Sequence, residues 1–106
     1  MHMPSPTARD PESRDAPVVV HHNADAERFE ATVDDRLCVA QYRRAGNVLT
    51  MTHTEVPAGV ERRGVAGELV RAAIDYARAN TLRIAPLCSY VRGYFERHPE
   101  AGDVLA

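Results

Sequence analysis

The stretch "HTEVPAGVERRGVAGELV", residues 53–70, contains the transition that decides the fold. Before it, apolar and polar residues alternate as in strands, and after it apolar residues recur every three or four positions, as in a helix. Gly64 stands where the helix is expected to begin. The first turn of a helix leaves backbone N–H groups without partners and carries partial positive charge. A strand, a glycine-containing loop and a helix in this order therefore favour anion binding.

The chain has 106 residues, of which 44% are hydrophobic, and a formal charge of −2. This charge gives no electrostatic reason to expect nucleic acid or an anionic membrane as a partner. No apolar run approaches the roughly 20 residues needed to span a bilayer, and the N-terminal sequence lacks a secretory signal. Cys38 and Cys88 then indicate free thiols in a reducing compartment. We expect a cytoplasmic protein that is a monomer or a weak homodimer.

Residues 1–16 are polar and contain three prolines, so we expect a disordered N-terminal tail followed by one domain over residues 17–106. Four strand candidates open this domain: "PVVVHH" (17–22), "RFEATV" (28–33), "LCVAQY" (37–42) and "VLTMTHTEV" (48–56). Short turns between them predict an antiparallel meander. In the last of these strands, alternation places Leu49, Met51, His53 and Glu55 on one face.

The pattern then changes to a helical period over residues 64–80. A fifth strand candidate, "TLRIAPLC" (81–88), is expected to run parallel to the fourth because a helix connects them. A short second helix is predicted over "YVRGYFERH" (90–98), ended by Pro99. The predicted fold is a mixed α/β (α+β) sheet of four antiparallel strands, a helix, a parallel fifth strand and a short C-terminal helix.

Small residues at positions 64, 66 and 67 would let a ligand approach the helix backbone closely, and two arginines precede them. These residues are suited to binding a diphosphate. The loop lacks the Gly-Lys-Ser/Thr ending of nucleotide-triphosphate loops and the three-glycine dinucleotide spacing. From spacing alone, an ordinary helix entrance stays open beside a ligand site.

The segment "VPAGVERRGVA" resembles motif A of the GNAT superfamily of acetyl-CoA-dependent N-acetyltransferases, whose usual form is Gln/Arg-x-x-Gly-x-Gly/Ala. Gly64 and Ala66 match its two small positions, whereas Glu61 stands where Gln or Arg is usual. The segments "HTEVP", "RGVAGELV", "AIDYAR", "PLCSYV" and "YFERHP", in this order, resemble the minimal single-domain branch of the superfamily. The likeness covers about residues 17–105.

The resemblance implies a GNAT-like fold that binds acetyl-CoA. It implies that main-chain N–H groups of residues 63–67 hold the diphosphate, and that the fourth and fifth strands diverge near Val56 and Cys88 to admit the pantetheine arm. It also implies that the N–H near Val56 stabilises the thioester oxyanion. The predicted cofactor-binding residues are Val56, Arg62, Arg63, Gly64, Val65, Ala66 and Gly67.

Acetyl transfer to an amine needs a base, and His53 is a candidate because the ordinary pKa of histidine lies nearest neutrality. Glu55 could act instead through water. The structural alternative for His53 is a half-buried strand histidine with a hydrogen-bond partner, and for Glu55 it is a solvated carboxylate at a strand end. The tyrosine that protonates the leaving thiolate in many family members is replaced by Phe95, with Tyr94 a doubtful substitute. By the resemblance, Cys88 is an acid, a thiol relay or an acetyl acceptor; otherwise it is a small buried hydrophobe.

The predicted function is therefore acetyl-CoA-dependent N-acetylation of a small amine, a polyamine or an exposed lysine. A non-catalytic acyl-CoA-binding or sensing module is the first alternative, and a small interaction domain is the second. No metal site is predicted, because His21 and His22 are adjacent on a strand and face opposite ways.

Overall fold

The computed structural model describes residues 17–106, and the predicted N-terminal tail lies outside the described residues. Seven regular elements follow one another: β1 His21–Asn23, β2 Arg28–Val33, β3 Arg36–Ala45, β4 Val48–Glu55, α1 Val65–Ala79, β5 Arg83–Pro86 and α2 Ser89–Arg97. Two short 3₁₀ segments lie at Glu61–Arg63 and Pro99–Val104. Within residues 17–106, no helix has the length and apolar character that crossing a bilayer requires.

The five strands form one sheet in the order β1-β2-β3-β4-β5. The first four pair antiparallel, and β4 pairs with β5 in parallel across the α1 connection. The predicted mixed fold is thus confirmed. The turn between β2 and β3 consists of Asp34 and Asp35, both with positive φ (52° and 62°), the backbone that a two-residue hairpin turn of type I′ requires.

Both helices pack on the same face of the sheet and form one apolar cluster with it. From α1 this cluster takes Val65, Leu69, Val70, Ala73, Ile74 and Ala77, and from α2 it takes Val91 and Phe95. From β3 it takes Cys38, Ala40 and Tyr42, so the alternate residues Val39 and Gln41 point to the opposite side. We call that opposite side the open face.

The β4 strand contains a bulge that the sequence analysis did not anticipate. Gln41 pairs with His53, but the next residue of β3 pairs with Met51, so Thr52 has no partner on β3. The extra residue shifts the alternation of side chains by one position. His53 and Glu55, which pair with open-face residues, therefore lie across the sheet from Met51. The prediction that Leu49, Met51, His53 and Glu55 share one face is wrong.

The first strand also differs from its prediction. The ladder with β2 begins only at His21, which pairs with Glu30. Val18 and Val20 pack partly buried against the core, while Val19 is 65% exposed. β-branched residues favour a pleated surface, but this run stabilises the domain by apolar contact without strand partners.

The last residues complete the sheet in a way the sequence did not indicate. The 3₁₀ segment Pro99–Val104 buries Ala101 and Val104. Leu105 then forms a parallel bridge to Ile84, and the N–H of Ala106 donates to the Ile84 carbonyl at 2.8 Å. The outer edge of β5 is thereby partly covered, which limits strand pairing with other chains.

Candidate active site

A groove of about 360 Å³ opens on the helix-covered side of the sheet, where β4 ends. Its walls come from the end of β4, the loop that follows, the first turn of α1 and the first turn of α2. The lining residues are Thr54, Val56, Glu61, Gly64, Ala66, Gly67 and Tyr90. The volume falls within the range of small-molecule sites.

The loop between β4 and α1 is held in place by contacts with the β2–β3 hairpin. The Arg36 guanidinium donates to the Ala58 carbonyl, and the Arg63 guanidinium lies 3.4 Å from the Asp34 carboxylate. Between these two contacts, Val60 is buried in the core with 2% exposure. One wall of the groove is therefore fixed before any ligand arrives.

The first turn of α1 presents its backbone to the groove. Gly64 adopts φ 72°, the left-handed conformation that favours glycine, and no side chain caps the helix. The N–H groups of Arg63 and Gly64 donate to the carbonyls of Val60 and Glu61, at 3.1 and 3.4 Å. The amides of residues 63–67 were expected to hold a diphosphate. Those of residues 65–67 have no acceptor within the helix, because the first turn of a helix has no preceding carbonyls to pair with.

The charged side chains around this turn do not lie where the sequence predicted them. The Arg63 side chain is only 13% exposed and points to Asp34, so it is not the mobile cation that the sequence suggested. The structure does not describe the side chain of Arg62. Glu61 lines the groove, where its carboxylate opposes an anionic ligand.

The β4–β5 ladder ends beside the groove. Its last pair is Met51 with Pro86, and the N–H groups of Leu87 and Cys88 both donate to the Met51 carbonyl, at 3.1 and 3.0 Å. Beyond this point β4 continues to Glu55 without β5 beside it. An open strand edge thus runs along the groove.

Cys88 lies at this edge, immediately before α2, and is half-buried. Its sulfur is 3.7 Å from the hydroxyl oxygen of Thr54, which lines the groove. Burial alone would raise the pKa of the Cys88 thiol, but the backbone of Val91 and Tyr90 and the Thr54 hydroxyl outweigh burial, and its pKa lies below the ordinary value. The backbone N–H groups of Val91 and Tyr90, in the first turn of α2, thus act on the sulfur as hydrogen-bond donors.

The second cysteine has the opposite environment. Cys38 is fully buried in the sheet, and burial raises its pKa. Cys38 is therefore a core residue.

The two candidate bases lie together but outside the groove. His53 Nε2 is 3.5 Å from Glu55 Oε1, and the side chains are 56% and 70% exposed. Both are on the open face, with Thr54 between them on the helix side. The structure therefore brings His53 and Glu55 together and separates them from the groove by the thickness of the strand.

Sequence reasoning missed two lining residues, Thr54 and Tyr90. Thr54 reaches the groove only because of the bulge at Thr52, for which the sequence carries no clear signal. Tyr90 follows Cys88 by two residues in "PLCSYV", so the segment was recognised but this residue was not used. Phe95 is buried in the core, and Tyr94 borders a neighbouring cleft instead of the groove.

The sequence model of the GCN5-related N-acetyltransferase family matches residues 28–104. The chain belongs to this family. The match begins at β2 and includes the bulged strand, the α1 entrance and Cys88. The resemblance to the GNAT superfamily noted in the sequence is thus confirmed.

Curated relatives are similar over most of the chain. Protein NATD1 of Mus musculus is 30% identical over 87 residues, covering 78% of both chains. Protein NATD1 of Bos taurus is 30% identical over 101 residues, covering 90% of this chain and 88% of that protein. Protein NATD1 of Homo sapiens is also 30% identical, over 78% of this chain and 76% of its own length.

A solved structure shares the fold. The NMR structure of a GCN5-like protein from Staphylococcus aureus superposes with a TM-score of 0.68 at 24% identity. The similarity covers 86% of this chain and 90% of that chain.

Proposed function

We propose that this protein is an N-acetyltransferase that binds acetyl-CoA in the groove and transfers the acetyl group to an amine. The single observation that supports this best is that three features lie close together: the first turn of α1 at the groove, the open edge of β4, and the thiol of Cys88, which contacts the lining residue Thr54. Family membership supplies the reaction class.

The backbone donors and the uncharged lining of the groove support binding of this cofactor. Helix amides with partial positive charge suit a diphosphate, and Gly64, Ala66 and Gly67 leave the backbone accessible. Thr54 and Val56 provide an uncharged stretch of the lining, and Thr54 contacts Cys88, as a pantetheine arm requires. Glu61 is the one lining group that opposes the fit.

Bound acetyl-CoA would supply the thioester that is attacked. In the route through Cys88, its sulfur adds to the thioester carbon, the bond from carbon to the coenzyme sulfur breaks, and that sulfur takes a proton. The acceptor nitrogen then displaces Cys88 from the acetyl group and loses a proton, which restores the thiol. The Thr54 hydroxyl, 3.7 Å from the Cys88 sulfur, orients the thiol in both steps.

In the direct route, the amine attacks the thioester without a covalent intermediate, and a base removes its proton. His53, assisted by Glu55, fills this role only if the acceptor approaches over the open face, because both side chains lie there. A small amine, a polyamine and a lysine side chain all stay candidate acceptors.

Coenzyme A titration tests binding first. At 100 times its dissociation constant, coenzyme A should stabilise the protein by about 2.7 kcal/mol, which raises Tm on the order of 10 to 20 °C for a domain of this size. Absence of any shift at millimolar coenzyme A would contradict the proposal. Acetyl-CoA consumption with a panel of amines then tests turnover.

A matched pair of cysteine variants separates the two routes. Cys88→Ala should abolish turnover and spare coenzyme A binding if the acetyl group passes through the thiol, whereas Cys38→Ala should leave the kinetics unchanged. Mass spectrometry of Cys88 after acetyl-CoA is added without acceptor should show an acetyl adduct of roughly 42 Da. Full turnover by Cys88→Ala would exclude the route through the thiol, so that direct transfer to the amine would remain.

Glu61 in the groove and Phe95 in the core favour a second candidate, a non-catalytic acyl-CoA-binding or sensing module. It predicts the same stabilisation by coenzyme A but no acetyl-CoA consumption with any amine.

A further inference from the structure

The loop of residues 56–64, between β4 and α1, supplies one wall of the groove. Inside this loop, the N–H of Val60 donates to the Pro57 carbonyl at 3.3 Å, and the N–H of Arg63 donates to the Val60 carbonyl at 3.1 Å. Short turns of this kind open more easily than strands or long helices, because few neighbouring hydrogen bonds support them. The shape of the wall therefore depends on contacts made from outside the loop.

Arg36, the first residue of β3, makes such a contact. Its guanidinium donates to the Ala58 carbonyl, 22 positions later in the chain. The same group lies against the backbone of Gly59, where a built Cβ would meet Arg36 Nη1 at 3.4 Å. Gly59 has φ 100°, a conformation that residues with a Cβ rarely adopt. The arginine thus holds the loop at the point where its backbone is least ordinary.

The sheet fixes the position of Arg36. Arg36 pairs with Val33 across the β2–β3 turn, and Val33 is buried in the core. In the same turn, the Asp34 carboxylate lies 3.4 Å from the Arg63 guanidinium, at the far end of the loop. The hairpin therefore contacts the loop at two points, one before and one after the buried Val60.

We propose that Arg36 is a positioning residue for the groove. By holding the Ala58 carbonyl, it keeps the loop in the conformation that binds coenzyme A. It acts without touching the ligand, since Arg36 is not among the described residues that line the groove. An ordered site loses no binding free energy to ordering, and when only a fraction of molecules has the competent loop, the apparent affinity falls by that fraction. This inference rests on the proposed function.

Arg36→Ala tests the contact, with affinities compared at a temperature where every variant is folded. The variant should bind coenzyme A roughly three- to tenfold more weakly, the loss expected for one hydrogen bond. Arg36→Lys should recover most of the affinity, because a single carbonyl acceptor needs only one donor and the ammonium group supplies it. Equal affinity of Arg36→Ala and the parent protein would overturn the inference.

Arg83→Ala is the matched control. The Arg83 guanidinium also donates to backbone carbonyls, those of Asp103 and Leu105, at 3.0 and 3.3 Å. It stands at the start of β5, whereas the groove lies beyond the other end of that strand. The control should lower Tm and bind coenzyme A like the parent. An equal loss of affinity in Arg83→Ala would show that general destabilisation causes the effect, which contradicts a positioning role.

Amide hydrogen exchange measures whether the effect passes through the loop. In Arg36→Ala, the N–H groups of Val60 and Arg63 should exchange faster than in the parent, while the amides of the central strands keep their protection. Saturating coenzyme A should restore the protection of both loop amides. Weaker binding with unchanged exchange at Val60 and Arg63 would contradict the inference.

Salt dependence separates positioning from direct contact with the ligand. If the Arg36 guanidinium bound a phosphate, the affinity ratio between the parent and Arg36→Ala would fall as salt is added, because salt screens that attraction. A positioning residue should leave the ratio the same at low and high salt, since its partner is the neutral Ala58 carbonyl. A ratio that falls toward unity at high salt would overturn the inference.

The outcomes also separate this inference from the proposed function. If the parent protein does not bind coenzyme A, the proposed function fails. If the parent binds and Arg36→Ala binds equally well, only the role of Arg36 fails.

Discussion

The hydroxyl of Thr54 lies 3.7 Å from the thiol of Cys88, although 34 positions separate the two residues in the chain. The contact joins the bulged end of β4 to the start of α2, and it is one of the interactions that lower the pKa of Cys88. It places the Cys88 sulfur beside a residue of the groove wall. Four predictions follow from this site and one from the opposite end of the sheet.

Thr54→Val should raise the pKa of Cys88, because valine keeps the shape of the side chain but removes the hydroxyl. Alkylation of Cys88 by iodoacetamide at pH 7 should slow roughly two- to fivefold, the size expected from losing one weak hydrogen bond. Thr52→Val is the control, since Thr52 is exposed on the same strand. Equal rates in the two variants would show that Thr54 does not act on the thiol.

The two cysteines should differ in reactivity in the folded protein. The thiolate is the form that reacts, and its fraction increases as pH rises through the pKa. Cys88, with its lowered pKa and partial exposure, should react at a lower pH than an ordinary thiol, while the raised pKa and burial of Cys38 should protect it. Peptide mapping after brief alkylation at pH 7 should recover label on Cys88. Label divided equally between them would contradict the structure.

Removing the acidic group from the groove should strengthen cofactor binding. If coenzyme A binds as proposed, Glu61→Gln should tighten its binding by roughly two- to fivefold at low salt, because a carboxylate near the first turn of α1 would oppose the anion. The gain should shrink as salt is added. Glu96→Gln, on the exposed side of α2, is the control and should bind like the parent. Weaker binding by Glu61→Gln would mean that Glu61 contacts the ligand favourably.

The left-handed backbone at Gly64 should make this position sensitive to substitution. Gly64→Ala should destabilise the protein by about 1 to 2 kcal/mol, since φ 72° is costly for a residue with a Cβ. The cost comes from the backbone alone, as a Cβ there would meet nothing within 4 Å. Gly102→Ala is the control, because its surroundings are equally open and its φ is not positive. Chemical denaturation measures both, and equal stabilities would contradict the assigned backbone.

His22 should make stability depend on pH. Its ring stacks on Phe29 at 4.3 Å and shares a 2.6 Å hydrogen bond with Tyr42, and burial lowers its pKa below 6.5. As pH falls below 6.5, the unfolded chain takes up a proton before the folded protein does, so stability decreases toward the folded pKa. Above pH 6.5 both forms are neutral and this dependence disappears.

Thermal unfolding between pH 7.5 and 5 measures this effect. His22→Gln should flatten the decrease in Tm, while His21→Gln, an exposed neighbour, should retain it. The carboxylates with lowered pKa, Glu30, Glu100 and Asp103, affect stability only below this range. If the decrease in Tm persists unchanged in His22→Gln, another titrating group causes it.

The sequence predicted the architecture because each signal was local. The Asp34–Asp35 turn, the change of period at Gly64 and Pro99 at the end of α2 each depend on a few neighbouring residues. The C-terminal bridge of Leu105 to Ile84 was not predictable in this way, because it depends on how the chain returns to the sheet. The same limit applies to Val19, whose β-branched side chain suggested a strand that lacks a partner.

The site was predictable as a backbone feature and less so as a set of side chains. Gly64, Ala66, Gly67 and Val56 were predicted to bind the cofactor, and all four line the groove, although cofactor binding itself stays a prediction. The direction of the Arg63 side chain could not be predicted, because its partner Asp34 lies 29 positions earlier in the chain. The catalytic roles of His53, Glu55 and Cys88 stay predictions for the experiments above.

The unpaired Thr52 has a consequence for how this chain can change over time. Straightening the bulge without losing a residue would pair Thr52 with Gln41, and it would carry the His53 imidazole to the helix side and the Thr54 hydroxyl to the other. Loss of Thr52 would instead leave both side chains where they are, because His53 would still pair with Gln41. The strand thus tolerates a deletion at its unpaired position, whereas a slip by one residue would exchange the chemistry of its two faces.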